Sequence, residues 1–99
     1  MAFKIVWSQT AVEDFKEIVE FISLDDPSSA ASLAGRILTR IQRAAELPLS
    51  NRLVPEKGGE SVRESILRPY RIVYQVDDAR AAIQILRIWH AARGAPDLE

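Results

Sequence analysis

From Tyr70 to Val76 the chain repeats with a period of two, and this constrains the fold more than any other feature. Tyr70, Ile72, Tyr74 and Val76 fall on one side of such a strand, and Arg71, Val73 and Gln75 on the other. Asp77-Asp78-Ala79-Arg80 interrupts the pattern and Ile83 to Trp89 resumes it, so the segment reads as two strands joined by a short polar turn. The wider stretch from Val62 to Arg93 also gathers clustered arginines, aromatic residues and the sole histidine, His90. A functional site, if the chain has one, is expected there.

The remaining segments fall into place around this hairpin. Phe3-Lys4-Ile5-Val6-Trp7 is short and β-prone, a first strand. Ser8 or Thr10 can cap the helix that follows, and Thr10-Ala11-Val12-Glu13 fits a capping box. Ala11, Phe15, Ile18, Val19 and Ile22 recur at helical spacing, with Glu13, Asp14, Glu17 and Glu20 assigned to the outer side. Asp25-Asp26-Pro27 ends that helix and starts another, since proline suits the first helical position after an aspartate cap. Ala30, Ala34, Ile37, Leu38, Ile41 and Ala45 give the second helix its apolar stripe, and Arg36, Arg40 and Arg43 line another side. Gly35 within it is expected to serve close packing against the first helix. Pro48 to Glu60 reads as a loop in which Gly58-Gly59 can present Glu56 and Lys57. Val62 to Leu67 then forms a strand, and Pro69 closes the connection to the hairpin.

The order is β-α-α-β-β-β, an α+β fold with a helical hairpin packed on one face of a mostly antiparallel sheet. Ninety-nine residues hold one domain, residues 1–99. The absence of cysteine excludes thiolate metal sites, disulfides and cysteine nucleophiles, and one histidine excludes a multi-histidine zinc site. No metal or cofactor is expected. No apolar run approaches the roughly 20 residues that span a bilayer, and MAFKIVW lacks a signal peptide's basic region, so a cytoplasmic protein without a membrane partner is expected.

Net charge is −1 but unevenly spread. Residues 1 to 26 set six acids against Lys4 and Lys16, whereas residues 61 to 95 set six arginines against Glu64, Asp77 and Asp78. Any phosphate-binding role must therefore be local, and direct DNA binding by the chain alone is not expected. Arg63, Arg68, Arg71, Arg87 and Arg93 are the candidate anion contacts, because guanidinium forks fit phosphate and carboxylate. The alternative is that they are simply solvated on an open sheet face and pair with Glu64 or Asp78. His90 is a candidate acid or base, or else a hydrogen-bonded structural residue. Trp7 and Trp89 can stack on a base or fill the core.

In order and spacing these residues resemble the RelE/ParE superfamily of toxins from bacterial type II toxin–antitoxin systems. The likeness rests on Val62-Arg63-Glu64, then Arg68-Pro69-Tyr70-Arg71-Ile72-Val73-Tyr74-Gln75-Val76, then Ile85-Leu86-Arg87-Ile88-Trp89-His90-Ala91-Ala92-Arg93. The helix opening Ser8-Gln9-Thr10-Ala11-Val12-Glu13-Asp14-Phe15, and Leu47-Pro48 before Arg52-Leu53-Val54-Pro55, add to it. The resemblance implies a plasmid-stabilisation-like toxin neutralised by a cognate antitoxin. RelE-like members cut mRNA on the ribosome, and in their pattern Arg71 and Arg93 match the arginines that hold the scissile phosphate. Glu56 and His90 are loose counterparts of groups that move protons in a related subgroup. The tyrosine that RelE-like members carry further on has no match after Arg93, and Lys57 alone stands for their basic loop. The His90-Ala91-Ala92-Arg93 ending is similar to the ParE-like style, which implies inhibition of DNA gyrase without catalysis. The alternatives are a ribosome-dependent mRNA endoribonuclease using Arg71, Arg93, His90 and Glu56, and a degenerate member that only binds antitoxin.

Overall fold

Two amphipathic helices lie on one face of a five-stranded sheet in the computed structural model, which describes residues 2–56, 61–96 and 98. The elements are β1 (Lys4–Trp7), α1 (Gln9–Ser23), α2 (Pro27–Glu46), β2 (Arg52–Leu53), β3 (Val62–Leu67), β4 (Tyr70–Asp77) and β5 (Ala82–His90), closed by a 3-10 turn at Ala91–Arg93. Strand order is β1-β5-β4-β3-β2. Every neighbouring pair is antiparallel except β1 with β5, which is parallel and joins the two ends of the chain. The fold class is the expected one, with one strand more. Arg52 and Leu53 pair with Glu64 and Arg63, so the segment expected to be a loop contributes a two-residue edge strand. Lys57 and Gly58-Gly59 lie outside the described residues.

Local chemistry explains the helix boundaries. Ser8 is the N-cap of α1, its Oγ accepting from Ala11 N at 3.0 Å and donating to the Leu86 carbonyl at 3.0 Å, so one side chain both caps the helix and moors it to β5. Asp26 caps α2 through Ser29 N, with Pro27 in the first turn. The hydrogen bonds from Ser29 favour the ionised Asp26 and lower its pKa.

The core forms where the helix stripes meet the expected side of the hairpin. Ala11, Leu33, Ile37, Ile41, Ala44 and Ala45 pack with Tyr70, Ile72, Tyr74, Val76, Ile83, Ile85 and Ile88. Tyr74 is fully buried, donates to the Pro48 carbonyl at 2.8 Å and accepts from Asn51 Nδ2 at 3.1 Å. Burial raises its pKa, and the bonds tie the segment after α2 to the sheet. The α2 stripe differs from expectation at Leu38, which is 44% exposed, while Leu33 and Ala44 are buried. Gly35 is exposed and a Cβ there would meet nothing within 4 Å, so close packing is not its role.

β5 carries a bulge. Val73 pairs with Arg87 but Tyr74 pairs with Ile85, leaving Leu86 as the extra residue. This resets the alternation, so that Ile83, Ile85 and Ile88 all join the helix-side core while Leu86 joins the other face. That second face is not open throughout: Val54, Val62 and Val73 form a small cluster backed by Leu86 and Leu98.

Candidate functional site

The face away from the helices takes its character from Arg71. Its neighbours Ile72 and Tyr70 turn toward the helices, so strand alternation directs Arg71 the other way, opposite Ile66 of β3 and Trp89 of β5. Arg71 is 9% exposed, and each of its three guanidinium nitrogens donates to a carboxylate. Its Nε donates to Glu64 Oε1 at 2.6 Å, and its Nη1 and Nη2 form a two-pronged fork with Glu56 at 2.9 and 2.7 Å. Glu64 is buried on β3 and also accepts from Arg52 Nε at 2.5 Å. The four side chains alternate in sign, Arg52, Glu64, Arg71 and Glu56, and neutralise one another.

The electrostatics follow from this clamp. Two carboxylates push the Arg71 pKa further up, the Glu56 fork first, outweighing desolvation. The Arg71 guanidinium holds the Glu56 carboxyl down at about 2. A group so acidic is ionised throughout the neutral range and is poorly suited to moving protons there. A free phosphate meeting Arg71 would have to displace Glu56 from its fork. The alternative reading's pairing with Glu64 is observed for Arg71, but the side chain is buried and not solvated, and Glu56 is a partner that reading did not include.

The other candidates are dispersed. Arg63 Nη1 braces the chain after α2 by donating to the Leu49 and Asn51 carbonyls at 3.1 and 2.7 Å, and its Nε is buried without a hydrogen-bond partner. Arg68 is exposed at the β3–β4 turn, beside the cis Arg68–Pro69 bond, and lines a cleft of about 510 Å3 with Arg52, Pro69, Tyr70, Arg71 and Ala91. Arg87 and Arg93 converge on Trp89, their guanidinium carbons 4.7 and 4.4 Å from the ring centre. Trp89 is buried and donates from Nε1 to the Gly94 carbonyl at 2.9 Å. Gly94 has φ +83°, a conformation that favours glycine and lets the chain turn back over the indole. Trp7 packs edge-on against Phe15 at 5.5 Å, partly buried against the helix-side core.

His90 ends β5 with a structural task. Its Nδ1 accepts from Ala92 N at 3.1 Å, which caps the 3-10 turn and leaves the proton of the neutral ring on Nε2. The ring stands edge-on to Tyr70 at 5.3 Å. Among the described residues no three His, Cys, Asp or Glu side chains are arranged to hold a metal ion.

Asp14 is where the structure corrects the sequence reading. Assigned to the outer side of α1, it is buried and binds Arg87 through both oxygens, at 2.8 Å to Nε and 2.9 Å to Nη2. Its Oδ2 also accepts from Ile88 N at 3.0 Å. Because β1 stops at Trp7, the outer edge of β5 beyond Ile85 has no strand to bond, and Asp14 supplies the acceptor. The signal was present, since Asp14 lies three residues after Ala11 and four before Ile18, inside the arc of the apolar stripe.

Comparison with known proteins agrees with this architecture. A family model described as ParE toxin of type II toxin-antitoxin system, parDE, matches residues 5–94. The protein Y4kP of Sinorhizobium fredii is 34% identical over 97 residues, which cover 96% of this chain and 95% of that one. Toxin RelE2 of Caulobacter vibrioides is 34% identical over 90 residues, covering 91% and 97%. Among solved structures, the chromosomal ParDE toxin–antitoxin system of P. aeruginosa superposes with a TM-score of 0.72 at 22% identity, covering 90% of this chain and 96% of that one. A mutant of the E. coli toxin RelE in the free state gives 0.71 at 18% identity, covering 95% and 88%. At these identities the two structures speak for the fold.

Proposed function

Because this chain belongs to the ParE toxin family of type II toxin–antitoxin systems, we propose that it arrests growth by binding and inhibiting DNA gyrase, and that it cleaves no RNA. The observation that carries this reading is the occupied guanidinium of Arg71. Cleavage of a phosphodiester needs a cation free to meet the developing charge and a group able to exchange a proton near neutral pH. Here Glu56 and Glu64 already engage all three guanidinium nitrogens of Arg71, and the Glu56 carboxyl is held down at about 2. The imidazole Nδ1 of His90 is committed to the Ala92 amide. Two of the residues that would form a nuclease centre, Arg71 and Glu56, thus serve each other, and of the candidate anion contacts Arg68 and Arg93 are exposed and suit contact with a protein surface. The proposed target places the toxin in the cytoplasm.

A cognate antitoxin is the second proposed partner. Phe21, Leu24, Leu38, Leu47, Leu49 and Leu53 are large apolar side chains that the fold leaves exposed, and a partner segment that folds on binding can cover such surface.

A supercoiling assay with purified gyrase tests the target: relaxed plasmid should stay relaxed as the protein is added. Full supercoiling at a large molar excess overturns the proposal. Ribosome-dependent transcript cleavage that disappears in Arg71→Ala would replace it with the nuclease reading.

A further inference from the structure

The two helices carry rows of charge that form no ion pair among the described residues. On α1, Glu13, Glu17 and Glu20 follow at intervals of four and three residues and are exposed; on α2, Arg36, Arg40 and Arg43 repeat those intervals, exposed except for the half-buried Arg40. Four residues beyond each row stands an exposed leucine, Leu24 at 84% and Leu47 at 66%. Each set therefore spans about 16 Å along its helix, or its continuation, with the same pattern of three like charges and a leucine. Among the described residues, none of the ion pairs involves either row. Their side-chain hydrogen bonds are Gln9 Nε2 to Glu13 Oε2 at 3.2 Å and Arg40 Nη1 to the Ile66 carbonyl at 2.6 Å. Lys16 beside the acidic row and Glu46 beside the basic one oppose only one charge each. Asp14 takes no part, being committed to Arg87.

We infer that these rows are the two halves of a contact between copies of this chain, with α1 of one copy lying alongside α2 of the other. A parallel arrangement sets Glu13 against Arg36, Glu17 against Arg40, Glu20 against Arg43 and Leu24 against Leu47. Within one chain the two helices run antiparallel, so a two-fold axis across the helices gives the α1 of one copy the direction of its partner's α2. A nucleic acid could occupy the arginine row alone, but it would meet a molecule of net charge −1 and leave the glutamate row unanswered. A second copy matches both rows at once, residue for residue. Exposed ion pairs are weak and screened, with a Debye length of about 10 Å at 0.1 M salt, so this association is loose and salt-sensitive.

Sedimentation velocity of the purified chain at about 0.02 M and about 0.5 M salt reads this directly. Mass should rise above that of the 11.1 kDa monomer with concentration at low salt and return to it at high salt. The double variants Glu13→Arg/Glu20→Arg and Arg36→Glu/Arg43→Glu should each be monomeric at low salt, and their equimolar mixture should associate again. Arg40 is left in place because it holds the Ile66 carbonyl. Circular dichroism and melting of each variant confirm that it is folded. A wild-type chain that is monomeric at every salt and concentration overturns the inference, as does association that survives either reversal or a mixture of folded variants that fails to associate. Binding of an acidic peptide or an oligonucleotide by a chain that stays monomeric would give the arginine row to that other partner.

Discussion

Asp14 is a single acidic residue that completes the edge of a sheet, satisfies a backbone amide and fixes an arginine. Replacing it with alanine removes the acceptor of three hydrogen bonds, two from Arg87 and one from Ile88 N, at a position where both side chains are largely buried. Asp14→Ala should cost about 2–4 kcal/mol, seen as a lower urea midpoint with little change in slope. Asp14→Asn, which can still accept from Ile88 N, should cost less. At Glu56 the expected signature is in pH. Its folded pKa lies below its unfolded one, so its contribution to stability is fully present above about pH 4.5 and is lost as pH falls toward about 2. Urea midpoints of Glu56→Gln followed through that window should therefore decline less steeply than those of the wild type. Equal slopes would mean that the fork with Arg71 does not stabilise the fold. Of the candidate site, the Glu64–Arg71 pair was legible as one of two readings, because strand alternation limits which charges can meet. Glu56 joins Arg71 from 15 positions away in the chain, and a contact of that kind leaves no periodic trace.

The helical hairpin was the most legible element, because its boundaries are written in local chemistry. Ser8 caps α1, and Asp26 followed by Pro27 opens α2, without help from distant residues. What local pattern could not supply is the environment of each face. Gly35 illustrates this, since it looked like a packing residue and instead faces open space in the middle of α2. Gly35→Ala should consequently stabilise the protein by up to about 1 kcal/mol, the propensity difference in an exposed helix interior. A thermal melt suffices to check it, and a lowered midpoint would mean that the site is less open than the geometry indicates. The short β2 and the bulge at Leu86 were not legible for a related reason. Two residues carry no periodicity, and Leu86 looks like any other apolar strand residue until the partner register is known.

At the scale of the whole molecule the decisive feature is that β1 pairs in parallel with β5, so that Lys4 to Trp7 meet Ala82 to Ile85. The first strand was recognisable in the sequence, but its partner was not, since an isolated β-prone segment fits any free edge. Joining the ends of the chain also bears on the order of folding. The β3–β4 and β4–β5 hairpins close over short connections, whereas docking β1 must close a loop of nearly the whole chain and gains only a four-residue ladder. β1 should therefore dock after the hairpins and the α2 contact have formed. Trp7, half-buried against Phe15 beside the parallel ladder, reports on this step. Trp7→Ala should lower stability by about 2–3 kcal/mol, with a φ-value below about 0.3. Most of that loss should appear as unfolding that is roughly 10- to 60-fold faster, with refolding slowed only a few-fold. Stopped-flow chevrons of the two proteins decide the matter. If refolding carries the loss while unfolding is unchanged, then β1 belongs to the folding nucleus and the late-docking order is wrong.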